Sequence, residues 1–246
     1  MGKGGTMHFL SEVYWDKGAG DVNQDSVSLQ EVGICREKVV FALVCDGIGG
    51  LAQGETASGF VAERMTEWFY TEGIPMLRKK RGRKKLGRAG LRALYGCNGE
   101  MNAYAGQRGM KFGTTVTMLL LQGKQYILWH SGDTRMYRIF AGLRGVGMKR
   151  LTTDHTVDNR TLVRCIGSFP WKEPDVRFGR IGRKDVLLLC SDGFRNRITE
   201  EKIKEALHPS FLVSREQMGM RLRELAGYVK RHGETDNISA VVLKGC

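Results

Sequence analysis

Four aspartates stand where short apolar stretches begin or end, a placement that suits the holding of a hard cation, and a fifth lies near the front of the chain. Asp46 follows the apolar run at residues 38–45 and opens an Asp-Gly pair in VCDGIGG. Asp192 does the same after residues 185–190, in CSDGF. Asp133 follows an apolar segment in HSGDTR, Asp236 precedes one in TDNIS, and Asp25 lies near the front of the chain in NQDS. A carboxylate at the end of a rigid strand is accurately placed, and several together make a negative pocket that calls for a cation. All-oxygen ligation favours Mg²⁺ or Mn²⁺. Glycine after the aspartate lets the backbone approach closely and leaves its carbonyl available as a further ligand. A single Asp-Gly is more often a plain turn, so the weight rests on the recurrence.

The elements that must position these residues are partly visible. Residues 38–45 (KVVFALVC) and 185–190 (DVLLLC) are short apolar runs ending at Asp-Gly, which predicts buried strands. Residues 114–121 and 125–130 predict a hairpin around Gln-Gly-Lys. Residues 135–140 predict a third short strand followed by a Gly-rich turn, and 237–243 a closing strand. Phe60, Val61, Met65, Trp68 and Phe69 fall close to helical spacing within 55–70. Helices are also expected within 86–107, weakened by glycines, and over 200–207 and 215–231. Strands in hairpins and helices in two groups argue for an α+β layered sandwich rather than an alternating parallel sheet.

The 246 residues suit one domain, 1–246. The formal charge of +13 is partly local, because residues 78–92 (RKKRGRKKLGRAGLR) contain no acid. This basic segment is expected as a solvated loop after Pro75. It lacks interleaved aromatics, so a nucleic-acid-binding protein ranks last among the readings. None of the six cysteines forms a C-x-x-C pair, which argues against zinc. Unpaired thiols point to a reducing compartment. No apolar run approaches a secretory leader or a membrane span, so a cytoplasmic protein with no membrane partner is expected.

In order, NQDS, VCDGIGG, FGTT, HSGDTRMYR, LTTDH, CSDGF and TDNIS resemble the motif set of the type 2C metal-dependent protein phosphatases in their bacterial form, from Asn23 to Ser239. The resemblance implies a four-layer sandwich, two central antiparallel sheets flanked by helices, with the site at one end. It implies hydrolysis of phosphoserine and phosphothreonine on proteins, by water activated between two Mn²⁺ or Mg²⁺ ions. Asp46 would bridge the ions and the Gly47 carbonyl would complete the second. Asp192 and Asp236 would hold the first, and Asp133 with Asp192 a third, weaker one. Asp25 would orient the attacking water. Asn237 would support Asp236, and Thr114 and Thr115 would steady the sheet beside the site. The implied partners are phosphorylated proteins, targets of a serine/threonine kinase, met by a monomer.

Three positions depart from that pattern. Ile48 stands where the family often has histidine or methionine, so a general acid must lie elsewhere, with His130 and His155 as candidates against a structural role for each. Gly20 stands where a phosphate-gripping arginine is usual, and Lys17 is the nearest replacement. Gln24 replaces a frequent glutamate. Residues 156–180 correspond to a variable flap, where Phe169 and Trp171 flank Pro170 as a substrate-selecting or simply packed pair. Gly20 and Ile48 motivate a competing reading, a phosphatase fold that binds without catalysis.

Overall fold

The structure, a computed structural model, describes residues 7–48, 53–142, 145–158 and 161–246. Two five-stranded sheets form its centre. The first runs in the order β1 (Phe9–Asp16), β12 (Ile238–Gly245), β11 (Val186–Cys190), β6 (Arg135–Gly142) and β7 (Gly145–Arg150). The second runs β10 (Asp175–Arg180), β5 (Gln125–Ser131), β4 (Val116–Gln122), β3 (Glu37–Asp46) and β2 (Asp25–Ile34). Neighbouring strands pair antiparallel in both. A short ribbon of β8 (Thr156–Val157) and β9 (Thr161–Leu162) lies in the flap segment.

Side chains alternate between the faces of a strand, and here both faces are buried. In β3, Val39, Phe41, Leu43 and Cys45 face outward onto helices, while Val40, Ala42 and Val44 face the other sheet. In β11, Val186, Leu188 and Cys190 point to a helical layer, and Leu187 and Leu189 point to the space between the sheets. Continuous apolar runs are the sequence trace of this two-sided burial. The outer layer on the second sheet is α1 (Gly54–Trp68), α2 (Ile74–Arg78) and α3 (Arg83–Arg108). On the first sheet it is α4 (Asp192–Arg195), α5 (Glu200–Ala206) and α6 (Arg215–Arg231). Three hydrophobic layers separate four structural ones, as expected for the sandwich.

The basic segment corrects the expected loop. Residues 74–78 are helix α2, a turn follows, and α3 begins at Arg83 and runs for 26 residues. Of the glycines expected to weaken α3, Gly87 and Gly90 serve packing, while Gly96, Gly99 and Gly106 have nothing within 4 Å of a would-be Cβ. A Cβ at Gly90 would come within 2.7 Å of the Trp129 ring, and the Trp129 indole donates to the Gly87 carbonyl at 2.9 Å. Glycine at this face lets the helix lie against the sheet. Among the described residues, no helix is long and apolar enough to cross a membrane.

Candidate functional site

The five aspartates come together at one end of the two sheets. Asp25 and Asp46 are direct cross-strand partners in the β2–β3 register. Like charges facing each other there oppose folding, so the backbone around them must be held firmly. Thr115 does this twice: its N–H donates to the Asp46 carbonyl at 2.9 Å, and its hydroxyl accepts from the Asp46 N–H at 3.0 Å. The Thr114 hydroxyl donates to the same carbonyl at 2.8 Å. Gly47 donates its N–H to the Gln24 carbonyl at 3.0 Å. A Cβ there would stand 2.2 Å from the Gly54 carbonyl oxygen and 2.8 Å from that of Gln24. Only glycine fits, which accounts for the first Asp-Gly pair. Gly49 and Gly50 of the same motif lie outside the described residues.

Asp192 opens α4 directly after β11, and Asp133 follows Gly132 between β5 and β6. Asp236 precedes β12 and accepts from the Asn237 N–H at 2.7 Å. The buried Asn237 side chain then ties the front loop to this end of the molecule. Its oxygen accepts from Gln24 N–H at 2.7 Å, and its nitrogen donates to the carbonyls of Lys17 at 2.9 Å and Val22 at 3.3 Å. Asn237→Ala strands these groups, so a loss of about 2 kcal/mol is expected. Urea unfolding of the variant checks this, and an unchanged midpoint would contradict the stapling role.

Electrostatics mark the cluster. Burial, followed by repulsion from Asp25, Asp192, Asp133 and Asp236, pushes the Asp46 carboxyl well above the ordinary range. Asp25 is raised to about 7, chiefly by burial, with Asp192 and Asp236 adding to the rise and the Ser239 and Ser191 hydroxyls opposing it. Asp133 is raised to about 6 by burial and Asp192, partly offset by Arg195. Asp236 is raised by burial and then Asp192. The buried Oδ2 of Asp25 has no hydrogen-bond partner. Among the described residues, no three metal-ligating side chains converge closely enough to hold an ion as they stand. The set nonetheless suits a hard divalent cation: its donors are all oxygen, they are crowded and partly buried, and among the described residues only Asp133 of the five has a basic partner, Arg195.

Basic side chains lie beside the cluster. Arg195, on α4, donates to the Asp133 carbonyl at 3.1 Å and lies 3.6 Å from its carboxylate, while its buried Nε has no partner. It lines a cavity of ≈ 320 Å³ with Asp133, Arg135, Asp154, Thr156, Asp192 and Asn196. Sequence reading missed Arg195, because its partner Asp133 lies 62 residues away in the chain. Lys17 is exposed on a second cavity of ≈ 460 Å³, with Trp15, Asp16, Gly18 and Asn23.

Both histidines are engaged in the framework. The His130 ring bonds the Thr117 hydroxyl at 2.9 Å and the Thr153 carbonyl at 3.0 Å. Burial, then His155, lowers it to about 4, so it is neutral at pH 7. His155 Nδ1 accepts from the Gly132 N–H at 3.2 Å, which steadies the turn carrying Asp133. In the flap, Trp171 packs edge-on against Tyr95 at 5.6 Å, whereas Phe169 is 90% exposed. Asn159 and Arg160 of that segment lie outside the described residues.

A sequence model of the protein phosphatase 2C family matches residues 17–228. The chain belongs to this family. Within it, serine/threonine protein phosphatase PstP of Mycobacterium tuberculosis is 28% identical over 81% of this chain and 39% of its own length. The chain thus spans about two-fifths of that relative. The serine/threonine phosphatase stp of Listeria innocua is 25% identical, over 85% of this chain and 86% of its own. Among solved structures, the PstP catalytic domain in complex with two manganese ions superposes with a TM-score of 0.78 at 25% identity, covering 98% of this chain and 99% of that one. A bacterial serine phosphatase gives a TM-score of 0.80 at 22% identity, covering 96% of this chain and 98% of that one, a likeness of fold.

Proposed function

We propose that this protein phosphatase 2C member hydrolyses phosphoserine and phosphothreonine on proteins with Mn²⁺ or Mg²⁺. The observation that carries the reading is the group of crowded aspartates whose mutual repulsion is offset by a cation, Arg195, only at Asp133. Asp46, the Gly47 carbonyl, Asp192 and Asp236 would hold two ions, and Asp133 with Asp192 a weaker third. Thr114 and Thr115 hold the Asp46 backbone, and Asn237 ties the front loop to the start of β12. Bound there, divalent cations lower the pKa of water and neutralise phosphoryl charge.

The chain's own groups do the rest. Asp25, with its unpartnered buried oxygen, takes a hydrogen bond from the attacking water and orients it. Arg195, which lines the cavity beside Asp133 and Asp192, would meet an incoming phosphate, with Lys17 as a second cation, in place of a side chain at Gly20. Arg195 presents a planar fork suited to phosphoryl oxygens, and Lys17 a mobile point charge. His130 and His155 support the framework, since hydrogen bonds already occupy them. The same reading makes the physiological partners kinase-phosphorylated proteins. It has the protein act as a monomer in the cytoplasm, where its six free cysteines would stay reduced.

Phosphate release from a phosphothreonine peptide with Mn²⁺ tests this. Turnover should vanish with excess chelator and fall about a hundredfold or more in Asp192→Ala. Turnover that survives both would exclude the mechanism. Gly20 and Ile48 favour one alternative, a binding module without catalysis. Calorimetric Mn²⁺ binding with no turnover on any phosphopeptide would select it.

A further inference from the structure

The end of the molecule remote from the aspartates carries a charge that the catalytic reading does not use. Arg78 to Arg81 close α2 and form the turn after it, and Lys84, Lys85 and Arg88 line the start of α3. All seven are exposed. Among the described residues, none has an acidic partner within 4.0 Å, whereas Arg92 in the same segment pairs with Glu72. The corner is anchored. The Arg83 guanidinium donates to the Gly179 carbonyl at 3.3 Å, and Leu77, Arg83 and Leu86 close over Gln122 and Gln125 at the β4–β5 turn.

The arrangement is unfavourable within the chain. Like charges crowd one surface, and Arg83, Lys84 and Lys85 occupy the first turn of α3, where the helix dipole is already positive. That turn contains no acid, and Gly82 before it supplies no capping side chain. A surface that departs from local electrostatic preference without internal compensation calls for an external anion.

We propose that this corner is a docking surface for an acidic polypeptide segment of the phosphoprotein substrate, a proposal that rests on the reading of the site as a protein phosphatase. An incoming run of Asp and Glu supplies the carboxylates that helix starts ordinarily carry in their own first turn. The segment contains no aromatic side chain on which bases could stack, as single-stranded nucleic acid would use. None of its large apolar side chains is exposed for insertion into a lipid surface.

The reach fits. The corner lies at the Gln125 end of β5, while Ser131 at the other end leads to Asp133. At about 3.3 Å per residue the strand separates them by roughly 20 Å. An extended peptide following the surface covers that with about eight residues. An acidic tract about eight residues from the phosphorylated side chain can therefore occupy both places at once. Docking then raises the local concentration of phosphoresidue without touching the chemistry.

The test uses the full chain and its variant Lys79→Glu/Lys80→Glu/Lys84→Glu/Lys85→Glu. Two phosphothreonine peptides are compared, one ending in ten acidic residues after an eight-residue spacer and one without the tract. At low salt the tract should lower KM about tenfold with kcat unchanged, and half-molar NaCl should remove the benefit. The variant should lose the benefit, hydrolyse p-nitrophenyl phosphate at the wild-type rate, and melt no lower, because acids at the start of α3 suit its dipole. A tract that leaves KM unchanged, or a variant that keeps the benefit, overturns the proposal. Fluorescence anisotropy with the labelled acidic peptide reads the docking separately. Binding lost in the variant supports it even if aryl phosphate is not hydrolysed, in which case the catalytic reading alone has failed. Tighter binding of a single-stranded RNA or of phosphatidylserine vesicles, at equal anionic charge, would overturn the assignment to polypeptide.

Discussion

Asp46→Asn should abolish metal-dependent turnover while raising the melting temperature of the metal-free protein. The two effects share one cause. Asp46 is buried opposite Asp25, with Asp192, Asp133 and Asp236 close enough to raise its carboxyl well above the ordinary range. In the metal-free fold its charge is a liability, so an amide of the same shape relieves repulsion. Fold and backbone hydrogen bonds survive, because Thr114 and Thr115 hold the Asp46 main chain rather than its side chain. Under the proposed function that same carboxylate would help hold the divalent cations. Its loss should cost about a thousandfold in kcat/KM, comparable to removing a principal electrostatic group from a transition state. Thermal melts with and without Mn²⁺, alongside phosphate release, check both halves. A variant that melts lower without metal, or that keeps its Mn²⁺-induced stabilisation, would show that Asp46 is not the shared ligand.

The same burial explains which parts of the fold could be read from the sequence. The strands at 38–45, 114–121, 125–130, 135–140, 185–190 and 237–243 became β3, β4, β5, β6, β11 and β12, all interior to the sheets. Interior strands face helices on one side and the opposite sheet on the other, so most of their sequences are continuous apolar runs, β6 with Arg135 and Arg138 being the exception. In the two large sheets the strands left unread are β1, β2, β7 and β10, and each is an edge. Edge strands mix polar and apolar residues. FLSEVYWD, DSVSLQEVGI, GVGMKR and DVRFGR give no clean period, and the glycines of β7 look like a turn. The basic segment failed for a different reason. Its cations suggested a solvated loop, yet Leu86, Ala89 and Leu94 form the buried stripe that makes it a helix. Asp46 and Asp192 stood out because Asp-Gly after an apolar run is a local signal, whereas Asp25, Asp133 and Asp236, which no glycine follows, were named as site residues through the resemblance of their motifs to the family's. Arg195 was not, since its relation to Asp133 exists only once α4 is folded against the β5–β6 turn.

The stabilisation that Mn²⁺ confers should be large near pH 7.5 and nearly absent at pH 5. Asp133 is held at about 6 and Asp25 at about 7, with Asp46 and Asp236 also raised. A carboxyl raised on folding keeps its proton in the native state over a range where the unfolded chain has lost it. Its contribution to stability is therefore complete below about pH 4 and is lost as pH rises through its folded value. His130 and His155 oppose this, because burial lowers both and the unfolded chain binds their protons first, so their share of stability grows with pH over part of the same range. The pH dependence of the metal-free protein is thus a partial cancellation and a poor diagnostic. The increment due to Mn²⁺ is cleaner. A cation binds only the deprotonated ligand set, so each proton it must displace weakens binding about tenfold per pH unit. With Asp133 held at about 6 and so protonated at pH 5, that ligand alone should lower apparent affinity about tenfold between pH 7 and pH 5. Asp133→Asn should flatten that dependence, whereas His130→Gln, which leaves the carboxylates in place, should not. Melting curves collected at fixed Mn²⁺ across this range measure the increment directly. A shift that stays constant from pH 5 to pH 7.5 would mean that the cation is held by groups other than these aspartates.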